Sequence, residues 1–486
     1  MITARHRNIA LLVAGCYFME MLDGTIVTTA SPQIGRSLGA PATEVGLVVT
    51  AYLLTLAVLI PLSGWLTRRY GNRVVFLTAI TLFTAASVGC AASVSLGMLV
   101  AMRVVQGAGG AMMVPVGRTM VLSPAAKEDI LRLTSFVVWP GLLAPVIAPL
   151  AGGLITTYAS WHWMFLINVP LGAVAFAVAW RLVTAGPSAA GGPPPLDWAG
   201  VALTCAGLGG LTYTAHLVAL PAPPAAQTAA FGAASAALLT GAVAHLRRAR
   251  NPLLNLRTLS VRTFRVSQLG GTMYFFVVGA IPFLLPLMFQ VQFGWSPVKS
   301  GAVTAFVFAG NVGIKPATTP LINRFGFRPL LIASTLGTAV IVAALGFTSA
   351  STPVAVIAAL ALASGITRST GFTVYSTVGL ADMVPELMRD ANTLAATSMQ
   401  LGAGLAIAGA TVALRVGDAV TGGGQAAFTV AFCLLALVAA GCAAEALRLD
   451  PAAGNAARRL RTAAVAPASP ASPSSSASRA PSGQAG

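Results

Sequence analysis

A succession of apolar stretches, each about 20 residues long, most constrains what this chain can fold into. A helix of that length crosses the roughly 30 Å of hydrocarbon in a bilayer, and its backbone polar groups are satisfied within the helix itself. Polar and Gly/Pro-rich breaks separate fourteen such stretches, near residues 9–29, 45–66, 74–94, 97–117, 134–156, 164–184, 198–218, 226–245, 266–290, 298–321, 329–349, 354–378, 391–413 and 425–445. The sequence therefore predicts an all-α integral membrane protein with fourteen transmembrane helices.

The composition excludes a water-soluble fold. Only 8% of the residues are charged and 56% are hydrophobic, whereas soluble domains carry about 25% charged residues. The five cysteines all fall in apolar stretches and are odd in number, so no disulfide framework is indicated.

The basic residues predict the orientation of the chain in the membrane. With a cytoplasmic N-terminus, 23 of the 29 Lys and Arg residues face the cytoplasm. The remaining six lie outside or within spans: Arg36, Lys299, Arg415, Arg103, Lys315 and Arg368. Cytoplasmic loops carry an excess of Lys and Arg, so both termini are predicted to be cytoplasmic in a bacterial-type inner (plasma) membrane. The net charge of +17 thus reports topology, and we expect no nucleic-acid partner.

The spans are arranged as six, two and six. We predict a six-helix bundle over residues 1–185, a linker with two extra helices over 186–261, a second six-helix bundle over 262–446, and a disordered cytoplasmic tail over 447–486. Many secondary transporters consist of two similar bundles around a midplane site.

A sequence motif that occurs twice supports two related bundles. Arg69-Tyr70-Gly71-Asn72-Arg73 follows the second span, and Arg324-Phe325-Gly326-Phe327-Arg328 follows the tenth. Both segments form an Arg-aromatic-Gly-x-Arg turn on the predicted cytoplasmic side.

Ionisable residues inside spans are expensive and mark functional sites. Glu20 and Asp23 lie one turn apart on the first span, and two close carboxylates in a dry site cannot both ionise easily. Arg103 on the fourth span, with Gln106 one turn further on, is the expected partner of Asp23. Protonation of Asp23 would then release the arginine. The alternatives are a static ion pair, a headgroup-facing Glu20 and a helix-capping Asp23.

Charged and aromatic side chains suggest two kinds of cargo. If Arg118, Lys315 and Arg368 face a central cavity with Asn311, the site favours an anionic or zwitterionic solute, although Lys315 could instead reach the membrane surface. Two aromatic cavity candidates, Trp139 and Tyr375, would suit lipophilic drugs.

Several kinds of chemistry lack their motifs. No Gly-x4-Gly-Lys-Ser/Thr phosphate loop occurs, so ATP is not the expected energy source. There is no His-Glu-x-x-His, Cys-x-x-Cys or Gly-x-Ser-x-Gly sequence. We therefore expect no enzyme, no metal and no cofactor.

Four motifs resemble those of major facilitator superfamily transporters, in particular the 14-span drug/proton antiporters of the EmrB/QacA type. They are Leu22-Asp23-Gly24-Thr25-Ile26-Val27, Arg103-Val104-Val105-Gln106-Gly107, Ala148-Pro149-Leu150-Ala151-Gly152-Gly153, and the segment from Ser160 to Gly172 that enters the sixth span. Within that group, the Trp161-His162-Trp163 signature is similar to the MdtD branch.

The resemblance implies rocker-switch exchange of an exported solute for protons. Asp23 and Arg103 would couple the exchange, supported by Gln106 and Gly107. Glu20 is not part of the motif, and the alternatives for it are an extra proton site or no role. A gating loop would contain Gly64, Arg69, Gly71 and Arg73, although Arg68 stands where the loop motif usually has Asp. The kinked, closely packed antiporter motif of the fifth span would make exchange obligatory through Pro145, Pro149, Gly152 and Gly153.

The predicted function is the export of a small organic solute, as in multidrug efflux, by a monomeric transport unit that exchanges it for protons. One alternative is a proton-coupled or facilitated exporter of an anionic metabolite or chelate. Others are a facilitator or importer on the same fold and, from a different class, a non-transporting membrane sensor or scaffold.

Overall fold

The structure, a computed structural model, describes residues 4–122, 127–184, 195–220 and 223–449, which form helices joined by short connections. The helices of the first half, in chain order, are α1 (Ala4–Ile26), a 3-10 helix (Val27–Ala30), α2 (Ser31–Leu38), α3 (Gly46–Tyr70), α4 (Asn72–Ala91), α5 (Leu96–Leu122), α6 (Lys127–Tyr158), α7 (His162–Leu166) and α8 (Asn168–Leu182). From residue 450 onward, the predicted tail lies outside the described residues.

The second half continues with an inserted pair of helices and a further group. These are α9 (Trp198–Ala219), α10 (Ala225–Arg248), α11 (Arg262–Val291), α12 (Pro297–Gly313), α13 (Lys315–Phe325), α14 (Phe327–Gly346), α15 (Val354–Ala381), α16 (Met388–Thr421) and α17 (Gln425–Ala446), with short 3-10 helices at Leu256–Ser260 and Pro385–Leu387.

The fold class agrees with the prediction. Among the described residues, thirteen helices are long and apolar enough to cross a membrane, and they coincide with thirteen of the fourteen predicted spans. The tenth span, residues 298–321, consists of α12 and α13, which are interrupted at Ile314. Pro316 causes this break, because proline cannot donate a backbone hydrogen bond and its ring crowds the preceding turn.

The helices pack in two groups. In the first group, α1 packs on α6, and α5 packs on both α3 and α4. In the second group, α14 packs on α17, α12 on α15 and α11 on α16. The inserted helices α9 and α10 pack on each other, and α9 also contacts α3 of the first group and α16 of the second. The inserted pair therefore lies at the seam between the two groups.

The two groups approach each other closely at one side, called here the distal side, where α2 lies, opposite the start of α1. A Cβ atom added to Gly153 would lie 2.5 Å from the carbonyl oxygen of Pro297, and one added to Gly301 would collide with the carbonyl oxygen of Pro149. The α6–α12 contact thus depends on glycine in both groups.

Two glutamines join the groups at the same side. Gln33 Nε2 donates a hydrogen bond of 2.8 Å to Gln290 Oε1. Gln290 Nε2 donates one of 2.8 Å to the carbonyl oxygen of Thr29. The distal side is therefore closed by backbone packing and by side-chain amides.

The repeated Arg-aromatic-Gly-x-Arg turns adopt the same conformation. Gly71 separates α3 from α4 with φ 80° and ψ 155°, and Gly326 separates α13 from α14 with φ 84° and ψ 173°. Arg73 donates to the carbonyl oxygen of Trp180 at 3.1 Å, and Arg328 donates to that of Leu447 at 2.8 Å. Each turn is thus tied to the end of the last helix of its own group.

A single carboxylate holds the inserted pair to the segment that follows it. Asp197 accepts hydrogen bonds from the backbone N–H groups of Gly200 (2.8 Å) and Leu253 (3.1 Å), and its Oδ1 lies 2.6 Å from His245 Nε2. Burial alone would raise the pKa of Asp197, but these hydrogen bonds outweigh that effect and lower it below its usual value.

Candidate functional site

The Asp23 carboxylate is the centre of a buried polar cluster in the first group. Its side chain is fully buried and accepts hydrogen bonds from Arg103 Nη1 at 2.5 Å, Asn168 Nδ2 at 2.7 Å and Gln106 Nε2 at 3.0 Å. The expected contact between Asp23 and Arg103 is present and joins α1 to α5, and the hydrogen bond from Asn168 joins α1 to α8.

Arg103 is also fully buried and holds a second set of contacts. Its Nε donates to the carbonyl oxygen of Val48 at 3.3 Å, and its Nη1 donates to Gln106 Oε1 at 2.8 Å. The ring of Tyr52 lies 4.2 Å from the guanidinium carbon, within the range of a cation–π contact. Arg103 Nη2 has no hydrogen-bond partner among the described residues.

A second layer of polar side chains connects this cluster to α4. Ser87 Oγ accepts from Gln106 Nε2 at 2.7 Å and donates to the carbonyl oxygen of Phe83 at 2.9 Å. Gly107 allows α5 to approach α3, since a Cβ there would lie 2.9 Å from the carbonyl oxygen of Tyr52. Helices α1, α3, α4, α5 and α8 therefore all meet at the Asp23 cluster.

Sequence reasoning did not assign a role to Asn168, Ser87 or Tyr52. A signal did exist for Asn168, because an amide within an apolar span needs a polar partner. Serine and tyrosine are tolerated in spans as self-bonded or interfacial residues, so Ser87 and Tyr52 carried no comparable signal.

Glu20 lies one turn from Asp23, on the side nearer the start of α1. It is 5% exposed, and a Cβ on Gly110 would lie 3.8 Å from its carboxyl carbon and 3.3 Å from Tyr52 Oη. Glu20 Oε2 and Tyr52 Oη both lack hydrogen-bond partners within the described part of the chain. Both atoms are buried next to the Asp23 cluster and remain able to form hydrogen bonds.

The glycines of the fifth-span motif face two different neighbours. A Cβ on Gly152 would lie 2.9 Å from the carbonyl oxygen of Ile26, in the first group, whereas Gly153 faces Pro297 of the second group. Pro149 is buried against Gly301, and Pro145 is half-buried. This motif therefore contacts both groups at the distal side.

The predicted gating loop lies at the opposite, proximal end. Gly64 and Arg69 are exposed at the end of α3, while Gly71 forms the turn and Arg73 stacks over Trp180 at 5.1 Å. Arg73 thus contacts Trp180 of α8, within the first group.

Two basic residues lie within the second group. Lys315 Nζ donates to Thr373 Oγ1 at 3.2 Å, and Arg368 Nη1 donates to the carbonyl oxygen of Val278 at 3.4 Å. Neither forms an ion pair within the described ranges. Asn311 is half-buried where α12 packs on α15.

The remaining cavity candidates lie apart from one another. Arg118 is exposed on α5, with its guanidinium 5.8 Å from the ring of Tyr17. Tyr375 is 3% exposed and packs on Tyr274 with ring centroids 5.8 Å apart. It belongs to the core of the second group.

Trp139 is 48% exposed and lies on an apolar side of α6 that also exposes Phe136, Leu143 and Ile147. With 100° per residue, this side is opposite Gly141, which faces Tyr17 of α1. Trp139 thus belongs to an exposed apolar side of α6, and its place in a cavity stays a prediction.

Two groups of membrane-spanning helices, joined by an inserted pair and built around a buried acid–arginine cluster, define a multi-pass secondary transporter. The model of the Major Facilitator Superfamily matches residues 13–407 and 269–481. The chain belongs to this superfamily, as the motifs predicted.

Curated relatives place the chain near one branch. It is 36% identical over 398 residues to "Putative multidrug resistance protein MdtD" of Cronobacter sakazakii, covering 82% of this chain and 83% of the relative. It is 35% identical over 434 residues to the protein of the same name from Serratia proteamaculans, covering 88% and 90%. The predicted similarity to the MdtD branch is confirmed.

Solved structures share the fold at low sequence identity. A D-xylose-proton symporter matches with a TM-score of 0.61 and 16% identity, covering 89% of this chain and 97% of that one. The nucleoside transporter NupG matches with a TM-score of 0.62 and 12% identity, covering 90% and 99%.

Proposed function

We propose that this chain exports a small organic solute, as in multidrug efflux, in exchange for protons. The names of its relatives support the efflux class, and the buried Asp23–Arg103 pair carries the proposal of proton coupling. The unit of transport is one chain, and we assign it no catalytic reaction.

The ionised form of Asp23 holds three helices together. Its carboxylate accepts hydrogen bonds from α5 and α8 while it neutralises Arg103. When a proton binds Asp23, Arg103 becomes a buried charge without a counter-ion, and breaking a buried ion pair costs about 3–5 kcal/mol. Proton binding therefore drives a rearrangement of α5 against α1.

The distal closure lies one short helix away from this pair. The 3-10 helix Val27–Ala30 follows α1 directly and is fully buried between the two groups. Its Thr29 carbonyl accepts the hydrogen bond from Gln290. Because a 3-10 segment inside a long helix often marks a hinge, this segment links the protonation of Asp23 to opening at the distal side.

Glu20 is proposed as the group that exchanges protons with Asp23 from the proximal side. It lies one turn closer to the start of α1, and its Oε2 has no partner among the described residues. A buried carboxyl with a free oxygen can accept or release a proton without breaking an existing contact.

The charge distribution supports a cytoplasmic proximal side and cytoplasmic termini, as the positive-inside rule requires. Single cysteines at Arg36 and Arg250 test this orientation in intact cells with a membrane-impermeant maleimide. We expect labelling only at position 36 before the cells are permeabilised, and the reverse pattern would overturn the orientation.

A second candidate cargo is an anionic metabolite or chelate. Lys315 and Arg368 place two positive charges in the second group, where each contacts a hydroxyl or carbonyl oxygen and a phenylalanine ring but forms no ion pair with the described residues. Like charges in a low-dielectric site repel each other, so an anionic group bound there would be favoured.

The decisive experiment measures proton movement in proteoliposomes with an imposed pH gradient. Cationic drugs and organic anions are added to the wild type, to Asp23→Asn, and to Asp382→Asn as an exposed acid control. We expect a cargo compound to discharge the gradient in the wild type and the control but not in Asp23→Asn.

The identity of that compound distinguishes the two cargo classes. If labelled cargo moves equally in all three proteins without proton flux, the chain is a facilitator and the coupling role of Asp23 is wrong.

A further inference from the structure

A cleft of about 430 Å³ lies between the inserted helix α9 and the first group. Its walls are formed by the sides of α3, α5 and α9 that face one another. Its lining is mostly apolar and includes Leu54, Val58, Val100, Val104, Cys205 and Leu208. The cleft is separate from the Asp23 cluster and from the basic pair of the second group.

The cleft opens sideways onto the membrane. Val104 is 43% exposed, and Cys205 is also exposed, so the lining is continuous with the outer surface of the transporter. The spans containing α9 and α10 are also the least buried of the candidate spans, at 28% and 17%. Their outer surfaces are in contact with lipid, and the same hydrocarbon reaches the cleft.

The two threonine hydroxyls of the lining are already satisfied. Thr55 Oγ1 donates to the carbonyl oxygen of Ala51 at 2.7 Å, and Thr212 Oγ1 donates to that of Leu208 at 2.9 Å. Tyr213 packs its ring edge-to-face on Phe231 with centroids 4.8 Å apart. A water molecule needs two or more polar partners, so the cleft suits an apolar occupant.

We propose that the cleft binds an acyl chain of a membrane phospholipid, retained between α9 and the first group. Its volume lies within the roughly 300–1,000 Å³ of small-molecule sites. If it were empty, its lining would lose dispersion contacts, and a hydrocarbon chain from the adjoining bilayer restores them. Because lipid and lining are equally apolar, retention depends on the fit of the chain between three helices.

The site lies beside the Asp23 cluster. Val104 adjoins Arg103 in sequence, and Thr55 packs against Gly107, where an added Cβ would lie 2.9 Å from its side chain. The bound chain thus contacts the sides of α3 and α5 next to those that form the cluster. This lipid site does not depend on proton coupling or on the identity of the cargo.

Native mass spectrometry of the full chain released from phospholipid nanodiscs tests the proposal. A Cβ at Gly209, which lines the cleft, meets nothing within 4 Å, and the same holds for Gly241 on α10. Gly209→Trp therefore fills the cleft, while Gly241→Trp adds an equal bulk elsewhere on the inserted pair. We expect one retained phospholipid in the wild type and Gly241→Trp, and at least a tenfold loss in Gly209→Trp. Equal retention in all three proteins, or none in the wild type, would overturn the proposal.

A second measurement places a reporter at the cleft. A fluorophore on Cys205, in a chain whose other four cysteines are replaced, is compared with one on Gly241→Cys in nanodiscs containing phospholipids with brominated acyl chains. We expect stronger quenching at Cys205 in the cleft. If quenching there is no stronger, or if Gly209→Trp keeps its lipid but blocks entry of a lipophilic cargo, the acyl-chain assignment is wrong.

Discussion

Arg103 uses the shape of its side chain as well as its charge. Its Nη1 reaches both Asp23 and Gln106, its Nε reaches the carbonyl oxygen of Val48, and its flat face lies over Tyr52. A lysine ammonium is a compact point charge, and it lacks both the fixed arrangement of several N–H donors and the flat face of a guanidinium. The charge alone therefore does not reproduce the site.

We expect Arg103→Lys to reduce proton-coupled transport at least about tenfold, because one lost hydrogen bond to a charged group costs about 1.5–3 kcal/mol. Gradient discharge in proteoliposomes measures the effect. Arg36→Lys, at an exposed position on α2, is the matched control. Wild-type flux in Arg103→Lys would show that a positive charge is sufficient.

Gly71 is the position where the first-group turn requires glycine. Its φ of 80° and ψ of 155° lie in a region that side chains avoid at a cost of about 1–3 kcal/mol. We expect Gly71→Ala to destabilise the protein by that amount, measured as a lower midpoint of thermal unfolding in detergent.

Gly64 provides the control within the same predicted loop. It lies inside α3, where a Cβ meets nothing within 4 Å, and alanine favours a helix over glycine by about 1 kcal/mol. Gly64→Ala should leave the midpoint unchanged or raise it. If both variants unfold alike, the turn conformation is not what requires Gly71.

At this scale the sequence predicts the charged residues of the Asp23 cluster better than its neutral ones. Asp23 and Arg103 stand out because a charge at membrane depth demands a partner. The backbone carbonyl of Val48 and the hydroxyl of Ser87 take part only because of how the helices cross. No local pattern encodes that crossing.

Among the elements, the inserted pair depends on Asp197, which caps α9 and also contacts α10 and the segment after it. Loss of an aspartate cap costs about 0.5–2 kcal/mol, so Asp197→Ala should lower the unfolding midpoint at pH 7. Because the hydrogen bonds lower the pKa of Asp197 in the folded protein, its contribution is present above about pH 4, the ordinary value. That contribution disappears as pH falls through the lowered pKa.

The difference in midpoint between wild type and Asp197→Ala should therefore stay constant from pH 7 down to about pH 4, the ordinary pKa of an aspartate, and shrink as the pH is lowered further. Asp382→Ala, at an exposed position, should show little difference at any pH. A difference for Asp197→Ala that does not shrink at low pH would mean that the carboxylate charge does not contribute.

The element boundaries show what hydropathy can and cannot predict. Hydropathy places the spans well, since length and apolarity are local properties. It misses the extension of the first span through the 3-10 helix and α2 to Leu38, and it misses the break at Ile314. Both depend on buried packing at the distal side or on a proline, features that a hydrophobicity window averages out.

At the scale of the whole molecule, the structure has its two groups closed at the distal side. The closest backbone approach pairs Gly153 and Gly301 with carbonyl groups of the opposite group. The sequence predicts tight packing of the fifth span, but it does not identify the partner, because Gly301 lies far away in the chain within an unremarkable apolar stretch. The proposed exchange of a solute across the membrane would require this contact to open and close.

Gly301→Ala should shift the molecule towards a distal-open state, because a Cβ at this position collides with the backbone of α6. Gly313→Ala, on the same helix, adds a Cβ with nothing within 4 Å and is the control. Nitroxide labels at the exposed positions Arg36 and Lys299, on opposite groups, report the distance by double electron–electron resonance. If the collision costs about 1.4 kcal/mol or more, the ratio of distal-open to distal-closed molecules rises at least about tenfold.

We expect longer distances between the two labels in Gly301→Ala and the wild-type distribution in Gly313→Ala. Identical distributions in all three proteins would mean that this contact does not control distal closure.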